Sequence, residues 1–147
     1  MNRRKAALLL LACTGLGAAH AQHVHDTAKA DRTVVVRMSD QMRFDPDVVR
    51  VRRGETVRFV AKNQGQVTHE LVIGTAAQVR EHAQAMRAGH AHAHAGATSV
   101  SVAPGATGEF VATFDRDQVL EMACLVPGHY EAGMRGRLEV TAAAPKR

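Results

Sequence analysis

Short stretches of period-two alternation recur along most of this chain, and they leave few folds open. Val34, Val36 and Met38 alternate with Val35 and Arg37, and Val49 and Val51 alternate with Arg50 and Arg52. After a turn at Arg53-Gly54, Val57, Phe59 and Ala61 alternate with Arg58 and Lys62. His69, Leu71 and Ile73 flank Glu70, Phe110, Ala112 and Phe114 flank Glu109 and Thr113, and Leu138 and Val140 flank Arg137 and Glu139. Successive side chains of a strand point to opposite faces, so each stretch predicts a strand with one buried and one wet face. Several such strands with turn signals between them predict an all-β, antiparallel sandwich or barrel. Core material is scarce. Of 147 residues 46% are hydrophobic, but 26 are Ala, and there are four Phe, one Tyr and no Trp. Val, Leu, Met and the four Phe must fill a single domain, which is all this length allows.

One segment breaks the alternation. Thr75-Ala76-Ala77-Gln78 is a capping-box pattern, Val79, Ala83 and Met86 recur at helical spacing, and Gly89 is a plausible stop. A low-complexity tract, Gly89-His90-Ala91-His92-Ala93-His94-Ala95-Gly96, follows. Together these predict a helix-bearing, His-rich insertion over about residues 75–98.

The N-terminus bears on compartment. Arg3, Arg4 and Lys5 precede the apolar run Ala6–Ala12, and Ala19-His20-Ala21 follows. This is the pattern of a signal peptide cleaved after Ala21. The run is too short to span about 30 Å of hydrocarbon, and no second apolar stretch follows, so no membrane span is expected. Leu10-Leu11-Ala12-Cys13 offers a lesser alternative, a lipoprotein anchor at Cys13. The expected organisation is a signal peptide over 1–21, a flexible segment over 22–31, one domain over 32–141 and a tail over 142–147. Removing residues 1–21 takes away three of 19 basic residues and leaves 16 against 14 acidic ones. A balance of +2 gives no support to a nucleic-acid partner. Cys124 becomes the lone cysteine, and a lone thiol in an oxidising compartment calls for an occupant.

The stretch Cys124-Leu125-Val126-Pro127-Gly128-His129-Tyr130-Glu131-Ala132-Gly133-Met134 supplies that occupant's donors. It places a thiol, an imidazole and a thioether at C-x4-H-x4-M spacing, soft or borderline donors that suit copper. Pro127-Gly128 lets the chain turn back, and Gly133 permits close approach before Met134. His69 shares the core face of Leu71 and Ile73, where an unsatisfied imidazole is costly. Taken singly, Cys124, His69 and Met134 are ordinary core residues. Jointly, two histidines, a thiolate and a weak axial thioether make the His2Cys arrangement of blue-copper sites. Zinc takes the same sulfur and nitrogen donors but rarely Met.

From Asp31 to Thr141 the chain resembles a cupredoxin, the small Greek-key β-sandwich that binds type 1 copper. The resemblance rests on Met42-Arg43-Phe44-Asp45-Pro46, Arg53-Gly54-Glu55-Thr56-Val57, Thr68-His69-Glu70 and the loop from Cys124 to Met134. It implies one copper ion held by His69, Cys124, His129 and Met134. The ligand-loop spacing is similar to that of rusticyanin, longer than in plastocyanin-like members. The His/Met-rich insertion is similar to that of periplasmic cupredoxins associated with copper tolerance. Many cupredoxins carry Asn or Ser directly after the first histidine ligand, and this chain carries Glu70.

A second metal-like feature is weaker. His90, His92 and His94 alternate with Ala, and such a tract can take copper loosely or serve as a plain solvated loop. His82 and Met86 are one helical turn apart, and His23 and His25 make a thinner case. The expected function is periplasmic copper tolerance and handling with single-electron transfer, the partners being copper ions and a redox protein. A dedicated respiratory electron carrier is the alternative. A copper-oxidase fragment is a lesser one, because such enzymes need further domains and copper centres.

Overall fold

A computed structural model of the protein describes residues 29–88 and 98–142. The segments assigned from sequence to the signal peptide (with Cys13), to His23 and His25, and to the His90, His92 and His94 tract lie outside the described residues, as does Gly89.

Branched residues at every second position put a continuous apolar face on most strands, and two sheets bury these faces against each other. β1 (Arg32–Ser39), β2 (Arg43–Asp45), β4 (Thr56–Asn63) and β7 (Thr107–Thr113) form one sheet in the order β2-β1-β4-β7. β3 (Val48–Arg52), β5 (His69–Gly74), β6 (Thr98–Val102), β8 (Gln118–Ala123) and β9 (Arg135–Thr141) form the other, in the order β3-β9-β8-β5-β6. Val36, Met38, Val57, Phe59, Ala61, Leu71, Met122 and Leu138 are fully buried between them. Phe59 anchors the layer, stacking on Phe110 at 5.2 Å between ring centroids and meeting Phe114 edge-on at 6.1 Å. A buried side chain of this size contributes about 1.5–3 kcal/mol, so one aromatic cluster offsets the low aromatic content.

The Greek-key sandwich is the expected fold, with one correction to its strand directions. β1 pairs with β4, and β3 with β9, in parallel. The chain leaves the first sheet after β2, lays β3 in the second and returns as β4, and such a crossover connection permits a parallel neighbour.

A second correction concerns β5. Alternation predicted a wet face at Glu70, yet all six residues of this strand are buried. The cover is helix α1 (Ala76–Arg87), capped by Thr75 and Gln78 in the reciprocal capping box the sequence predicts. It seats Val79 on Val72, Ala123 and Leu125, with Ala83, Met86 and Tyr130 alongside. Among the described residues, no helix is long and apolar enough to cross a membrane.

Candidate metal centre

Two strand ends and one loop converge at one end of the sandwich. His69 opens β5, and Cys124 follows the last residue of β8. The two strands are antiparallel neighbours, with Val72 opposite Ala123. Residues 125–134 then make a loop that closes on itself. Cys124 N–H donates to Met134 O at 3.1 Å, Met134 N–H to His129 O at 3.0 Å, and His129 N–H to Val126 O at 3.0 Å. Gly128 and Gly133 take positive φ, 85° and 101°, a region that favours glycine. Ala123 pairs with Arg135 across the base of the loop, so its ends are held by the β8–β9 ladder.

This framework brings His69, Cys124 and His129 together, with one donor atom of each within 4.8 Å of the others. The Nδ1 atoms of the two rings are 3.2 Å apart, and His129 Nδ1 is 3.3 Å from Cys124 Sγ. The backbone N–H of Glu70 donates to the same sulfur at 3.3 Å. His69 and Cys124 are fully buried, and His129 is half-buried. Met134, also fully buried, belongs to the same apolar cluster as Cys124. Its backbone ties the loop to both Cys124 and His129.

The electrostatics suit a metal displacing a proton. Burial pushes the Cys124 thiol up, against the N–H donors of Glu70 and Val126, and the Glu70 charge pushes it further. Burial, and then the neighbouring His69, push the His129 imidazole down, which keeps it neutral. A buried sulfur that becomes a thiolate on metal binding, beside two imidazole nitrogens, is a donor set that fits copper.

A family model of copper binding proteins, the plastocyanin/azurin family, matches residues 31–141. The chain belongs to that family. It is 53% identical over 135 residues to a copper-resistant cuproprotein, CopI, of Rubrivivax gelatinosus, covering 84% of this chain and 82% of that one. A protein of the same name from Pseudomonas aeruginosa is 40% identical over 142 residues, covering 77% and 78%. Among solved structures, auracyanin B superposes with a TM-score of 0.68 at 23% identity, covering 78% of this chain and 91% of that one. Auracyanin A of Chloroflexus aurantiacus gives 0.65 at 24%, over 74% and 98%. At these identities the two structures speak for the cupredoxin fold. Copper is the cofactor of this family.

Around the three donors lie residues that the sequence did not single out. Asp40, in the turn after β1, puts Oδ1 3.0 Å from His69 Nε2, and its Oδ2 accepts from Gln66 N–H at 2.7 Å. Asn63 donates through Nδ2 to Val67 O and Val102 O, and its Oδ1 accepts from Gly65 N–H. It thus braces the loop leading into His69. No local pattern marks either residue, because each acts on a partner brought near by the fold. The Glu70 position, in contrast, carried a signal: it departs from the Asn or Ser common in cupredoxins. Its side chain meets His82 of α1, Oε1 to Nε2 at 3.0 Å, and both are buried. His82 and Met86 therefore turn inward against the sheet, where His82 holds the helix to the strand.

Proposed function

We propose that this cupredoxin serves copper resistance in the periplasm, holding one copper ion at His69, Cys124, His129 and Met134 and passing single electrons through it. The observation that carries the reading is the convergence of one buried cysteine sulfur with two imidazole nitrogens in a chain whose relatives are named copper-resistant cuproproteins. The Arg3–Ala21 pattern supports export. Copper, when bound, supplies a one-electron couple, and donors held by a rigid frame keep rearrangement between its two states small.

The chain's own residues supply the rest. Glu70 N–H points at the Cys124 sulfur, where it stabilises the thiolate. His129, the half-buried member, stands on the loop between the buried donors and the surface and is the outward route for an electron. Met134, buried in the same cluster as Cys124, would supply a weak thioether donor.

The test is spectroscopic and cellular. Copper(II)-loaded protein should show an intense thiolate-to-copper absorption that Cys124→Ser abolishes, together with the copper tolerance the protein confers on cells. Met134→Leu should keep the colour and raise the reduction potential. A colourless wild type, or tolerance unaffected by Cys124→Ser, would defeat the reading.

A further inference from the structure

The carboxylate of Asp40 lies outside the donor set yet is held firmly against it. One oxygen meets His69 Nε2 and the other accepts the Gln66 N–H. A Cβ at position 65 would collide with this carboxylate, so Gly65 leaves the room that it occupies. Asn63, through Gly65 N–H and Val67 O, fixes the segment that carries Gly65 and Gln66. The Gln66 N–H and His69 Nε2 together set the orientation of the carboxylate. On the other side, the His69 ring is fully buried, so no water competes for Nε2.

We infer that Asp40 is a positioning residue for the copper centre, locking His69 in the Nε2–H tautomer with its Nδ1 lone pair facing Cys124 and His129, and favouring Cu(II) over Cu(I). The inference rests on the copper reading above. A carboxylate only accepts hydrogen bonds, so the hydrogen of a neutral His69 sits on Nε2 and Nδ1 is free to donate its lone pair. A carboxylate behind a ligating imidazole also raises its donor strength, and the more highly charged Cu(II) gains more from this than Cu(I) does.

Asp40→Asn tests the point in the full chain, because it preserves size and removes charge. Its amide nitrogen must face either Gln66 N–H, donor against donor, or His69 Nε2, which can accept that N–H only with the ring hydrogen moved to Nδ1. In the copper-free wild type, nitrogen-15 NMR should show His69 in the Nε2–H tautomer alone, a readout that needs no variant and no metal. In Asp40→Asn, tautomers should mix, and Cu(II) affinity should fall by about 10–100-fold. Each tenfold loss for Cu(II) not shared by Cu(I) should raise the reduction potential by about 59 mV. An Nδ1–H tautomer in the wild type overturns the inference. So does a folded Asp40→Asn protein with unchanged affinity and potential, which would make the contact merely structural. A wild type with no copper colour overturns the underlying site reading instead, and the tautomer measurement tells the two failures apart.

Discussion

Two histidine–carboxylate pairs flank strand β5, each closing at 3.0 Å, and they do different work. His69 and Glu70 are consecutive, so their side chains leave the strand on opposite faces. On the inner face His69 meets Asp40, whose side chain is 34% exposed. On the outer face Glu70 meets His82, and those side chains are only 6% and 2% exposed. The difference lies at the other ring nitrogen. That of His69 faces a sulfur and a second imidazole, whereas that of His82 has no hydrogen-bond partner among the described residues. The same pairing orients a donor in one place and ties a helix to a sheet in the other. What a histidine does is thus decided by what its second nitrogen meets.

The sharpest way to break this comparison is to remove each histidine in turn. His69→Gly should abolish the copper absorption, because one of the three convergent donors is gone. His82→Leu should retain that absorption but lower unfolding stability by about 1–3 kcal/mol, the cost of leaving a buried polar group without its partner. Loss of colour in His82→Leu with the fold intact would erase the distinction between the pairs.

A smaller effect concerns protons on the inner face. Burial holds the Cys124 thiol above its ordinary range and the His129 ring below its own. Between those limits the copper-free site carries a thiol proton and a neutral His129. With Cys124 as a copper ligand, as proposed, the thiol would give up its proton on binding, so apparent affinity should rise about tenfold per pH unit from pH 7 to 8. A competition titration at several pH values reads the slope. A flat profile would mean that the sulfur is already ionised or is not a ligand.

The smallest effect is expected beyond α1. Deleting residues 90–95 should leave the Cys124 absorption and its potential unchanged while lowering the number of extra copper ions bound at excess metal. Bleaching on this deletion would move a primary donor out of the strand framework and into the insertion.

Much of the frame was legible because it is written in local periodicities. Val57, Phe59 and Ala61 specify a strand face by themselves, and Thr75 with Gln78 specifies a helix start. The spacing from Cys124 to Met134 put a thiol, an imidazole and a thioether on one short loop, and register alone turned His69 inward. Strand direction was less legible, since alternation reports which face is buried but not which neighbour runs parallel, as β1 and β4 do. The wet face assigned to β5 failed for a related reason: period two describes one strand, and a helix laid over its outer face buries both.

What the sequence determined alone is therefore what depends on neighbours within a turn or a strand: element type, the buried face of most strands, and the kinds of donor available. What the tertiary structure decided is which distant groups meet. Asp40 reaches His69 across 29 positions, the Glu70 N–H reaches the Cys124 sulfur across 54, and the two imidazoles meet across 60. Side-chain periodicity has a range of a few residues, whereas a hydrogen bond or a metal ligand acts over about 3 Å of space. Only folding converts the one separation into the other.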